Sequence, residues 1–304
     1  MLKILPLLKQ FDDDEDCPVF DVVAPSLPNF GFSAGISKRG FGLSQYAETC
    51  HKLMLQLGYP QYVTQAGDWG FWITRTIGKL YPEACKASHY NMIFTLPPTI
   101  TSDPVLWLRD KVTPRDEWDR KGEEKCSRFL KEGKGYNVLL STKPQTLAYA
   151  VHDSPVALLA WVYEKLHGWS YNYPWTDEEI LTWISIYAFS TAGPGASGRI
   201  YYEVTNAEEN SEAGEEKKAF SYWDTLTYTK GLKIGLTHNP GELEAKPKLW
   251  GKTLGNVVYE AVNESGGHFY AYEVPDLVVR DLKAMFGRGG GAFGVVEGKN
   301  GVDK

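Results

Sequence analysis

The chain reads as an α/β protein with a mainly parallel sheet and a helical cap. Three observations carry that reading: strand-like runs alternate with helical patterns at both ends, strand signals fade in the middle, and reactive side chains recur just past strand ends. Residues 1–99 form the first core part. The spacing predicts a helix over Met1–Lys9, a strand over Phe20–Ala24, a helix over Leu43–Leu57, a strand from Tyr62, a helix over Phe71–Tyr81 and a strand over Ala87–Phe94. Residues 100–228 form the cap, with helices expected over Asp116–Glu132, Gln145–Ala150, Pro155–Leu166 and after Thr176, where Glu179 three positions on makes a capping box. Strands resume over Leu232–Thr237 and Asn256–Val262, and the helix Pro275–Phe286 closes the second core part, residues 229–286. The glycine-rich segment 287–304 is expected to be a flexible tail.

The run Tyr62–Gly70 ends in small residues around one acid and opens directly into a helical stretch. A strand-to-helix turn this sharp strains the central residue, so its neighbours two positions either side, Ala66 and Gly70, must be small. Asp68 is then pushed out above the sheet edge as a candidate nucleophile. The Trp69 N–H, at a helix N-terminus, stands beside it as an oxyanion donor. A lone Gly-Asp-x-Gly is more simply a helix N-cap, and only partners elsewhere overturn that.

Two partners occur. Leu232–Thr237 is followed by His238-Asn239-Pro240-Gly241-Glu242, which puts an acid just past a strand end. Asn256–Val262 is followed by two glycines and His268, a tight loop carrying a base. Nucleophile, acid and base thus fall in the order Asp68, Glu242, His268, each after a strand, the order used by the α/β-hydrolase triad. Two decoys are set aside. Gly31-Phe32-Ser33-Ala34-Gly35 fits a serine elbow, but Pro25 and Pro28 precede it and Gly40 and Gly42 follow, so it reads as a loop. His167-Gly168-Trp169-Ser170 follows a helical run and reads as a helix end with Gly168 at C′.

Ala66-Gly67-Asp68-Trp69-Gly70, Asn239-Pro240-Gly241-Glu242-Leu243 and Gly266–Glu273 together resemble the epoxide hydrolases of the microsomal and fungal type, within the α/β-hydrolase superfamily. Gly135-Tyr136, Ser141–Thr146, Asp153–Trp161 and Arg199–Glu203 resemble that family's cap, so the likeness runs from about residue 1 to about residue 286. The resemblance implies an α/β-hydrolase fold and attack of Asp68 on an epoxide carbon, giving a covalent ester. Tyr136 and Tyr201 would protonate the ring oxygen, and water activated by His268, with Glu242 behind it, would release a vicinal diol. The family's Arg-x-Tyr-x-Glu pattern selects Tyr201 over Tyr202. With 18 tyrosines in the chain, both phenols rest on that pattern alone.

Relative to the family, the chain is expected to be truncated at its N-terminus. A His-Gly-Trp-Pro loop and the first strands would precede Met1, so the second oxyanion donor is expected to be missing and activity impaired. A dehalogenase of the same fold is the other enzymatic reading. It needs halide-binding donors where this chain offers tyrosines.

Composition bounds the remainder. A net charge of −6 argues against a nucleic-acid partner, and the acidic runs Asp12–Asp16 and Glu208–Glu216 read as solvated loops. Cys17, Cys50, Cys85 and Cys126 are widely spaced, without a metal pattern, so reduced thiols and a cytoplasmic location are expected. No run reaches membrane-spanning length. The expected partner is a small-molecule epoxide, with a homodimer possible, and no cofactor or metal is expected.

Overall fold

A computed structural model describes residues 1–9, 16–207 and 220–302. The acidic run Glu208–Glu216 and Asp12–Glu15 lie outside the described residues. Four strands, β1 (Tyr62–Ala66), β2 (Cys85–Tyr90), β3 (Thr229–His238) and β4 (Gly255–Val262), form one sheet in the order β1-β2-β3-β4. All pairings are parallel, with Ala66 beside Tyr90, Tyr90 beside Leu236 and Leu236 beside Glu260. Parallel strands end at one edge, so residues just after Ala66, His238 and Val262 share it although far apart in the chain.

Helices α1 (Leu5–Lys9), α2 (Leu43–Gln56) and α3 (Trp69–Leu80) belong to the first core part. Between β2 and β3 come α4 (Pro104–Val112), α5 (Glu117–Arg128), α6 (Gly135–Thr142), α7 (Pro144–Asp153), α8 (Pro155–Trp169), α9 (Asp177–Ala188), α10 (Arg199–Thr205) and α11 (Tyr222–Thr225). Two helices follow β4, α12 (Tyr270–Glu273) and α13 (Pro275–Phe286). The capping box at Thr176 and Glu179 forms as expected at the start of α9.

Apolar residues of α2 and α3 pack with Ile234 and Leu236 of β3, while α1 and α13 pack with Ala87 and Tyr259. A separate cluster on α7, α8 and α9 holds the inserted helices together. The elbow helix α3 is anchored from below by Arg75, fully buried, which donates to the carbonyls of Thr225, Thr227 and Leu254 at 2.9, 2.7 and 3.0 Å. Three satisfied carbonyls fix the pitch of that helix and hence the elbow at its end.

Two expectations fail. Phe20–Ala24 is part of no strand: the Val19 and Phe20 N–H groups donate to the carbonyls of Gly301 and Leu8. Its alternating apolar residues serve packing instead, with the Phe20 ring edge-on to Phe286 at 6.0 Å. Residues 287–302 are not a loose tail. A Cβ on Gly291 would lie 2.5 Å from the Val258 carbonyl, so glycine is there for close backbone approach; Ala292 is buried and Lys233 donates to the Gly291 carbonyl.

Candidate active site

Asp68 sits at φ 47° and ψ −135°, a strained backbone for a residue with a Cβ. The turn is tolerated because its flanks are small: a Cβ on Gly70 would lie 3.1 Å from that of Ala66, and one on Gly67 would meet the Asn91 side chain at 2.7 Å. The Asp68 N–H donates to the Met92 sulfur at 3.2 Å. Its Oδ1 accepts the Trp69 N–H at 2.6 Å, and its Oδ2 faces His268 Nε2 at 3.1 Å. The carboxylate is 38 % exposed, open to a cavity above the sheet.

Glu242 and His268 are brought together by the crossing of their loops. The Gly241 N–H donates to the Gly266 carbonyl at 2.9 Å, and Gly266 adopts φ +100°. A Cβ on Gly241 would lie 2.6 Å from Gly267 Cα, and one on Gly267 would lie 2.7 Å from the Trp169 carbonyl. Only glycines allow three backbones to meet there. The His268 N–H then donates to the Trp169 carbonyl at 2.9 Å, and His268 Nδ1 pairs with Glu242 Oε1 at 2.9 Å, with both side chains buried. Asn263 Nδ2 donates to Asn239 Oδ1 at 2.9 Å and ties the two loops once more.

Electrostatics follow from this packing. Burial pulls the His268 pKa down, but the charges and hydrogen bonds of Glu242 and Asp68 outweigh it and raise it to about 10. Burial pushes the Asp68 carboxyl up, yet its bonds to His268 and Trp69 hold it below the usual range. At neutral pH an Asp68 carboxylate therefore faces a His268 imidazolium.

The cavity above Asp68, about 440 Å3, is lined mainly by apolar and aromatic residues, among them Phe30, Trp161, Trp183, Tyr187 and Phe269. Tyr136 and Tyr201 line it as well, their rings edge-on at 5.9 Å. Tyr201 stands edge-on to Trp69 at 4.8 Å, and Tyr136 lies 5.1 Å from Trp169, whose ring packs edge-on against His268 at 5.1 Å. These rings and the Asp68 carboxylate line the same cavity. Burial, then the Asp68 charge, raises the pKa of both phenols. Tyr202 is not among the lining residues.

All six residues singled out from the sequence, Asp68, Trp69, Glu242, His268, Tyr136 and Tyr201, meet around this one site. Trp169 was missed. The helix runs through Gly168 to Trp169, and Ser170 caps it, so Gly168 is not at C′. Nothing local in His167–Ser170 signals that the Trp169 carbonyl receives the His268 N–H. Asn91 and Gln65, which pair at 2.8 Å on the cavity wall, carried no signal either. Gly31–Gly35 is a loop, as expected. Among the described residues, no acidic, histidine or cysteine cluster could hold a metal, Cys50, Cys85 and Cys126 form no disulfide, and no helix is long and apolar enough to cross a membrane.

No family model matches the chain. It is 31 % identical over 305 residues to epoxide hydrolase 1 of Oryctolagus cuniculus, with 94 % of this chain and 64 % of that protein covered. The solved Aspergillus niger epoxide hydrolase superposes with a TM-score of 0.70 at 30 % identity over 86 % of this chain and 61 % of that one. The juvenile hormone epoxide hydrolase of the silkworm Bombyx mori gives 0.77 at 27 % identity, over 92 % and 67 %. The chain spans less than two thirds of the length of the first curated relatives it matches, 60 and 64 %. With these likenesses beside the parallel sheet and its elbow, the chain is a homologue of the epoxide hydrolases, built on the α/β-hydrolase fold.

Proposed function

We propose that the chain hydrolyses epoxides to vicinal diols through an ester on Asp68. The observation that carries this reading is the seating of the Asp68 carboxylate: Oδ1 on the Trp69 N–H, Oδ2 towards His268, in a cavity lined by two half-buried phenols. In the first step Oδ2 attacks a ring carbon, the ring C–O bond breaks, and Tyr136 or Tyr201 gives its proton to the leaving oxygen. Their raised pKa keeps both phenols protonated at neutral pH. Ring opening leaves Oδ1 as the ester carbonyl oxygen, already on the N–H where negative charge will develop.

The ester step also changes His268. Once Asp68 is esterified its charge is gone, so one of the two partners that raise the imidazole pKa is lost. His268 then gives up its proton more readily; that proton passes to the phenolate left by ring opening, which restores the phenol and leaves His268 a neutral base. Neutral His268 takes a proton from water as that water attacks the ester carbonyl carbon; collapse releases the diol and restores the carboxylate. Glu242 orients the ring and stabilises the imidazolium. In this reading the helices over residues 100–228 act as the cap, since Tyr136 and Tyr201 lie on α6 and α10.

The test is product analysis with the full chain on styrene oxide and on a haloalkane. Diol from the first and no halide release from the second supports the proposal; halide release without diol contradicts it.

A further inference from the structure

Beside the triad acid lies a second, smaller space lined by Thr95, Trp118, Asn239 and Glu242, among others, which shares Asn91 with the wall of the substrate cavity. Four buried polar atoms on these residues have no hydrogen-bond partner among the described residues: Thr95 Oγ1, Trp118 Nε1, Asn239 Nδ2 and Glu242 Oε2. Two of these side chains already use their other oxygen. Glu242 Oε1 serves His268 and the Leu243 N–H, and Asn239 Oδ1 accepts from Asn263, which leaves only the amide nitrogen free. Leaving four such atoms unpaired would be costly in a native interior, where buried polar groups are bonded to protein or to ordered water.

The space is about 10 Å3, at the threshold for a single water molecule. The chemistry of the wall matches that ligand. Trp118 Nε1 and Asn239 Nδ2 can only donate, Glu242 Oε2 accepts, and the Thr95 hydroxyl can do either. Two donors and two acceptors are the complement of one water, whereas two N–H groups would repel a metal cation.

We infer that this space holds one structural water that bonds the second carboxylate oxygen of Glu242 and so fixes the acid behind His268. The water makes Trp118, on α5, and Thr95, after β2, positioning residues for the base. That effect on His268 rests on the proposed reaction; the water site itself rests on packing alone.

A high-resolution crystal structure of the chain tests the site. Density for one water at about 2.7–3.2 Å from Glu242 Oε2 and Trp118 Nε1 is expected. An empty space, a bound cation, or a rearrangement that pairs Glu242 Oε2 directly with Asn239 overturns it. Thr95→Val, nearly isosteric, and Trp118→Phe should each lose or displace the water, while Thr95→Ser should retain it. In single-turnover kinetics the first two variants should slow ester hydrolysis about tenfold, the scale of one hydrogen bond to a charged group, and leave ester formation unchanged. Unchanged hydrolysis after loss of the water removes its positioning role. Absence of any ester in the parent chain instead refutes the reaction, leaving the density to decide the site.

Discussion

Replacing Glu242 by Gln should separate the two chemical steps. At 2.9 Å, the Glu242 charge stabilises a proton on His268 by about 6 kcal/mol at an effective dielectric of about 20. Both side chains are buried, so little solvent screening reduces this attraction, which together with Asp68 raises the His268 pKa to about 10 despite the opposing effect of burial. Glutamine keeps a carbonyl oxygen for the Nδ1–H but removes the charge. If only half of that stabilisation is expressed as imidazolium forms in the hydrolytic transition state, its loss is about 3 kcal/mol, or about 100-fold in rate. Ring opening draws on Asp68 and the phenols and should change far less. Rapid quench with intact-mass detection should therefore show ester forming at near-parental rate and then persisting. Hydrolysis within a few-fold of the parent would refute the role assigned to Glu242.

Tyr136→Phe and Tyr201→Phe should each slow ring opening, and the double variant should lose about 10²–10⁴-fold, the range of general-acid catalysis, with ester hydrolysis less affected; an unimpaired alkylation rate in the double variant removes both from the mechanism. The raised pKa of His268 also makes a stability prediction. A group with a folded pKa near 10 against 6.5 unfolded contributes stability that is fully present below pH 6.5 and is lost as pH rises towards 10. The destabilisation caused by His268→Gln, followed by thermal unfolding, should accordingly shrink across that window; a pH-independent difference would show that His268 is neutral in the folded chain.

The site was legible in the sequence where it depends on strand ends. Asp68, Glu242 and His268 each follow an apolar run, and a parallel sheet brings all such positions to one edge whatever their separation in the chain. The phenols were reachable only through motif resemblance, because nothing distinguishes Tyr136 and Tyr201 from 16 other tyrosines until the inserted helices fold over the sheet. Contacts made by backbone atoms were not legible. The Trp169 carbonyl that receives the His268 N–H, and the tail glycines that lie against Val258 and Met285, read locally as a helix end and a flexible linker. Phe20–Ala24 failed for a related reason: alternation reports which face is buried, and here helix α13 provides that burial although the segment is part of no strand.

The covalent ester on Asp68 is the central claim, and a His268→Gln variant tests it most directly. That variant retains the nucleophile and the phenols but has no base to activate water, so ester should form and accumulate. Incubation with an epoxide, followed by intact-mass measurement and peptide mapping, should show one added substrate mass on the peptide containing Asp68. An adduct on another residue, or turnover to diol that survives Asp68→Ala, would contradict the account.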